Sequence, residues 1–127
     1  MIEIVTDPCA SDTVLRVLSQ SAWNSDGPSS FQPILQRSLV HVGAFEGEIM
    51  VGFVNIAWDG GQHGFILDTC VHADWQRQGI ATRLLEQAVI AARARGAKWL
   101  HVDFEPHLEG FYRGCGFRPS GAGVMQL

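Results

Sequence analysis

The segment from Gly79 to Gly96 constrains the fold more than any other part of this 127-residue chain. Ile80, Leu84, Leu85, Ala88, Val89, Ala91 and Ala92 recur at helical spacing and form one broad apolar face. A face that wide has to be buried. Arg93, Arg95 and Lys98 gather at its end, where the helix dipole favours cations, and Gly96 is placed to stop it. The neighbouring segments supply a surface to cover. Val40 to Phe45 and Ile49 to Trp58 are rich in strand formers, with Glu46-Gly47-Glu48 as the hairpin turn between them. Gly64 to Val71 and Trp99 to Phe104 predict strands on either side of the helix, and Ile2 to Val5 predicts a first strand. Val14, Leu15, Val17, Leu18 and Ala22 predict an early helix capped by Ser11 or Asp12. The turn-rich run Asn24 to Ser30 separates it from a short helical stretch, Phe31 to Leu39. Leu108 to Cys115 predicts a last short helix, and Phe117 to Leu127 two extended pieces forming a final hairpin. This order reads as α/β or α+β, a mixed sheet covered by helices. The length predicts a single domain over residues 1–127.

Composition narrows the partners. Hydrophobic residues make up 46%, which argues against disorder. No apolar run approaches the ~20 residues of a membrane span, and the N-terminus has no basic region followed by an apolar stretch. A cytoplasmic protein without a membrane partner is the expectation. Nine Lys and Arg against thirteen Asp and Glu give a net charge of −4, which disfavours nucleic acid and suits a cationic partner such as an amine. Cys9, Cys70 and Cys115 are odd in number and include no CxxC, so neither a disulfide framework nor a metal site is expected.

The stretch Val71-His72-Ala73-Asp74-Trp75-Gln76-Arg77-Gln78-Gly79-Ile80-Ala81-Thr82 carries the chemistry. A strand ends, a loop with small residues follows, and the long helix begins. The first turn of a helix has backbone N–H groups without intrahelical partners and partial positive charge, a ready site for phosphate. Taken alone, the segment reads equally as a tight strand-to-helix turn or as an anion cradle.

Gln76, Gly79 and Ala81 fill the pattern Gln/Arg-x-x-Gly-x-Gly/Ala, five residues after Val71 at a strand end. Further on stands Phe111-Tyr112-Arg113-Gly114-Cys115-Gly116-Phe117, a helix bearing Phe-Tyr and then Gly-Phe. With these two motifs, in this order and with helix and strand between, the chain from about Gly64 to Phe117 resembles the GNAT acyltransferase superfamily. The resemblance implies a mixed, mostly antiparallel central sheet with splayed fourth and fifth strands, flanked by about four helices. It implies acetyl-CoA as acyl donor. The pyrophosphate would lie on the backbone N–H groups of Arg77, Gln78, Gly79, Ile80, Ala81 and Thr82, below Gln76. The pantetheine arm and thioester would lie on the backbone of Cys70 and Val71, with the Val71 N–H as donor to the thioester oxygen.

The activity so implied is N-acetyl transfer to a primary amine of a small molecule or peptide, directly within a ternary complex. A non-catalytic acyl-CoA-binding sensor is the alternative. An amine of pKa ~10.4 is neutral in only about one molecule in 2,500 at pH 7, a handicap of ~4.6 kcal/mol. A base is therefore useful. Tyr112, the only tyrosine, occupies the position of the family's general acid. Phe65 stands where some members carry a glutamate base, so that route is absent. Asp68, three residues before Val71, either takes the proton or pins local backbone. Glu105 stands where the family commonly has Asn. It reads as a catalytic group, as a selector of cationic substrates, or as a solvated strand end. Trp23, Phe31, Trp58 and His63 are candidates to border the acceptor. An uncovered sheet edge leaves formation of a homodimer open.

Overall fold

The computed structural model describes residues 1–127. Five strands lie in one sheet in chain order: β1 (Ile2–Thr6), β2 (Ser38–Glu46), β3 (Ile49–Trp58), β4 (His63–Val71) and β5 (Trp99–Val102). The first four pair antiparallel, and β5 runs parallel to β4. A parallel neighbour needs a crossover, and α3 (Ile80–Ala94) provides it. The other helices are α1 (Asp12–Trp23), α2 (Gln32–Gln36) and α4 (Glu109–Gly114). Short 3-10 turns at Ala73–Trp75 and Pro106–Leu108 precede α3 and α4.

Two cores follow from strand alternation. Val40, Val42, Ala44, Val54 and Ile56 turn to one face and bury Ile80, Leu84, Leu85 and Ala88 of α3. On the other face, Met50, Phe53 and Cys70 pack with Leu15 and Leu18 of α1. Gly52 lets β3 approach the start of α3. A Cβ there would meet Leu84 Cδ1 at 3.0 Å and Ile80 Cγ2 at 3.2 Å. Since Gly52 is the register partner of Val71, this contact fixes the head of α3 against the end of β4.

The sheet opens between β4 and β5. Pairing runs only from His63↔Trp99 to Ile66↔Val102, while β4 continues to Val71. The sequence predicts a strand to Phe104. The structure ends it at Val102, and Phe104 instead stacks on Tyr112 with ring centroids 4.9 Å apart. The expected final hairpin is also absent: residues 117–127 form no helix or strand. Pro119 removes a ladder donor, and Gly121 and Gly123 bring no side chain to pack.

One ionic cluster ties β1, β2 and α3 together. Asp7 sits 2.7 Å from the Arg95 guanidinium and 3.4 Å from His41 Nδ1, and it accepts the His41 backbone N–H at 3.1 Å. Arg95 also donates to the Leu39 carbonyl at 2.9 Å. Desolvation pushes the Asp7 pKa up, but the Arg95 and His41 bonds outweigh it and hold the carboxyl below its ordinary value. A depressed carboxylate contributes stability above its unfolded pKa and loses it as the pH falls through the folded one. Asp7→Asn is expected to lower stability by about 1–2 kcal/mol at pH 7 in urea unfolding. The difference from the parent should close at acid pH. A difference independent of pH would contradict the ionic account.

Candidate active site

The site is built where β4 distorts and then stops. Phe53 pairs with Cys70 and Asn55 with Leu67, so Asp68 and Thr69 together oppose Val54. This is a bulge, and Asp68 takes a left-handed conformation there, φ 59°. Past the bulge, His72 N–H donates to the Val51 carbonyl at 2.7 Å. Gly52 and Val71 therefore form a non-hydrogen-bonded pair, and the Val71 N–H and C=O face the other edge of β4. That edge is the one β5 has left. Gln76 Nε2 takes the Val71 carbonyl at 3.1 Å, folding the loop back on the strand end. The Val71 N–H faces the gap.

The loop then enters α3 through two left-handed residues, Arg77 (φ 63°) and Gly79 (φ 77°). Gly79 is the N-cap and offers no side-chain cap. The first helical bond is Arg83 N–H to the Gly79 carbonyl, 3.2 Å. The N–H groups of Ile80, Ala81 and Thr82 precede it and have no intrahelical partner. Left-handed turns followed by free amides make an anion-binding concavity. Nothing stands within 4 Å of a Cβ on Gly79, so the glycine serves conformation and leaves the approach clear.

Two cavities flank the bulge. One, about 390 Å³, lies in the gap between β4 and α4. Cys70, Val71, Gln76, Arg77, Gly79, Ile80, Ala81, Thr82 and Tyr112 line it, with Thr69 and Trp75. Gln78 is exposed and stands outside the lining. The Tyr112 ring is 6% exposed, stacked on Phe104 and held edge-on by Phe111 and Phe117. The other cavity, about 340 Å³, lies between β4, α1 and α2 and contains Asp68. Cys70 borders both.

Asp68 makes no side-chain hydrogen bond or ion pair, so it pins no backbone. Its side chain keeps contact with solvent, and partial desolvation by the surrounding walls raises its pKa. The same burial, with the Asp68 charge adding to it, pushes the Cys70 thiol up to about 12. That thiol is neutral at physiological pH and poorly suited to carry an acyl group.

The sequence candidates divide. Tyr112 and the loop residues other than Gln78 converge on one cavity, and Asp68 stands on the other. Glu105 lines neither; its side chain is 80% exposed, 3.5 Å from His107. Trp23 and Phe31 line the Asp68 cavity, whereas Trp58 bonds the Gly61 carbonyl and His63 pairs with His101 at 2.8 Å. Sequence reasoning missed the apolar walls from Leu15, Leu18 and Phe53, which share no local motif. It also missed Thr69, whose buried hydroxyl has no partner. No three His, Cys, Asp or Glu side chains are grouped to hold a metal ion, and no helix is long and apolar enough to cross a membrane.

Known proteins share this architecture. A GNAT-family acetyltransferase from Streptococcus pneumoniae superposes with a TM-score of 0.82 at 26% identity, covering 100% of this chain and 98% of its own. Glucosamine-6-phosphate N-acetyltransferase from Arabidopsis thaliana gives 0.78 at 14% identity, with coverage of 100% and 98%. An aminoglycoside N-acetyltransferase in complex with CoA gives 0.77 at 14%, with coverage of 100% and 94%. At such identity the last two show likeness of fold alone. No curated protein shows significant sequence similarity to the chain. The sequence profile of the acetyltransferase (GNAT) family matches residues 11–117, and the chain belongs to that family.

Proposed function

We propose that this domain, residues 1–127, is an acetyl-CoA-dependent N-acetyltransferase acting on a primary amine by direct transfer in a ternary complex. The observation that carries the reading is the pair of cavities meeting at Cys70, one with free helix amides and the other with an unpartnered carboxylate. A sensor that merely holds acyl-CoA has no need of the second cavity.

The open amides of Ile80, Ala81 and Thr82, with the left-handed turn at Arg77 and Gly79, fit a diphosphate. Acetyl-CoA, when bound, supplies the acetyl group as a thioester. The Val71 N–H donates to the thioester oxygen as it gains negative charge. Asp68 attracts the amine as ammonium and accepts its proton, directly or through water. The apolar walls assist by disfavouring the charged amine. A carboxylate with a raised pKa is also a stronger base than an exposed one. The amine nitrogen bonds to the carbonyl carbon, the carbon–sulfur bond breaks, and Tyr112 gives its proton to the departing sulfur. With the Cys70 thiol protonated, direct attack needs no acyl-enzyme. Glu105, away from both cavities, has no part in these steps.

Three measurements test the roles. Tyr112→Phe should lower kcat on the order of 10²-fold while leaving the acetyl-CoA Kd unchanged. Normal turnover would remove the acid assignment. Gly79→Val should raise the acetyl-CoA Kd roughly tenfold, since a left-handed β-branched residue costs about 1–2 kcal/mol and the free loop escapes that cost by leaving the conformation that presents the amides. Asp68 is expected to set the acid limb of the kcat/KM profile, with activity lost as the pH falls through its raised pKa. Asp68→Asn should abolish that limb. An unchanged limb would contradict the assignment.

A further inference from the structure

The walls of the Asp68 cavity identify the class of acceptor, an inference that rests on the transferase reading above. We infer that the acceptor is a compact primary amine whose body is aromatic or branched aliphatic and carries no second charge. Eight of the cavity's thirteen lining residues are hydrophobic, among them Leu15, Leu18, Phe31, Ile34, Leu35 and Phe53. Asp68 is the only charged side chain in the lining. One carboxylate pairs with one ammonium. A second cation would lie against leucine and phenylalanine, at the cost of a desolvated charge without a partner.

Anionic groups fare no better. The lining holds no Lys, Arg or His. Arg16, on α1 beside it, is engaged elsewhere. Its guanidinium donates to the carbonyls of Asp26 (3.3 Å), Pro28 (3.1 Å) and Ser29 (3.2 Å) and stacks over Phe31 at 5.6 Å. A phosphate or a carboxylate on the acceptor would meet no cation. Peptide backbone is disfavoured by the same accounting. The lining has few polar groups to offer: Ser19 gives its proton to the Ser25 carbonyl at 2.8 Å, and the Ser25 hydroxyl, which accepts the Gly27 N–H at 3.1 Å, and the Trp23 indole are the donors left. Most buried amides of a peptide would go unpaired.

Hydrogen bonds hold the roof in place. Besides the Arg16 bonds, Phe31 N–H donates to Asp12 at 3.0 Å, and Gln20 bonds the Asp26 carboxylate. Gly27 is left-handed, φ 70°, and a Cβ there would stand 2.7 Å from the Phe31 ring. Phe31 therefore lies flush under the loop and bounds the cavity. At about 340 Å³ the space is at the small end of the roughly 300–1,000 Å³ range of small-molecule sites.

The test uses the wild-type chain, acetyl-CoA, and release of CoA thiol as the readout. The acceptors are 2-phenylethylamine, isoamylamine, phenylalanine, spermidine and glucosamine 6-phosphate. Either uncharged-body amine should exceed each of the other three by at least about tenfold in kcat/KM. Leu35→Lys, which adds a cation to the lining, should lower the 2-phenylethylamine kcat/KM by at least about tenfold without changing the acetyl-CoA Kd. Equal use of the panel, preference for a doubly charged acceptor, or acetyl-CoA binding without turnover of either apolar amine would overturn the inference. Calorimetric binding of acetyl-CoA keeps the two readings apart. Binding combined with a wrong preference sinks the acceptor class alone. Absence of binding sinks the transferase reading. In that event, a thermal shift with 2-phenylethylamine but none with spermidine still supports the apolar amine site, and the reverse overturns it.

Discussion

Everything at the site depends on β4 and β5 parting company. A strand in mid-sheet has both edges occupied, and its backbone has nothing to offer a ligand. Here β5 leaves the ladder after Val102, while β3 continues to hold β4 out to Val71. Half of β4 is thus rigid on one side and open on the other. Gln76 occupies the one carbonyl that faces the gap at Val71, leaving a donor there and no competing acceptor. The apolar face of α3 then presses its first turn against Gly52, which brings the free amides of the helix to the same opening.

The cost of this arrangement is concentrated in a few residues. Asp68 and Arg77 both hold left-handed conformations that L side chains resist, and Asp68 is partly desolvated without a counter-ion. Thr69 buries a hydroxyl with no partner. Outliers clustered on one strand end are a mark of a functional site, because packing elsewhere must hold them in place. The two cores on either face of the sheet, joined across β1, β2 and α3 by the Asp7–Arg95 pair, give that support. The left-handed turn also orients. The bulge turns the Asp68 carboxyl toward α1 and α2, while Val71, three residues on, addresses the opposite cavity.

Local periodicity made much of this legible. The long helix, the hairpin at Glu46-Gly47-Glu48 and the loop between Val71 and Thr82 are contiguous, and each carries its own signal of spacing or small residues. Glu105 misses both cavities for a physical reason. Alternation places residues on one face only while the chain stays extended, and β5 ends three residues before Glu105. His101 remains on the strand and meets His63 and Phe65 instead of a substrate cleft. The acceptor cavity was beyond reach for a different reason. Its walls come from α1, α2, β3 and β4, and a leucine in a cavity wall has the same periodicity as a leucine in a core. The Asp68 bulge is likewise a property of β3 and β4 together, invisible in either strand alone.

Free main-chain donors at the start of α3 hold the diphosphate in this reading, and calorimetry with CoA beside pantetheine, which shares the arm but lacks the diphosphate, measures their part. CoA should give saturable heat, and pantetheine should bind more weakly by on the order of 10²-fold. Equal affinity for the two, or no heat with CoA, would rule that role out.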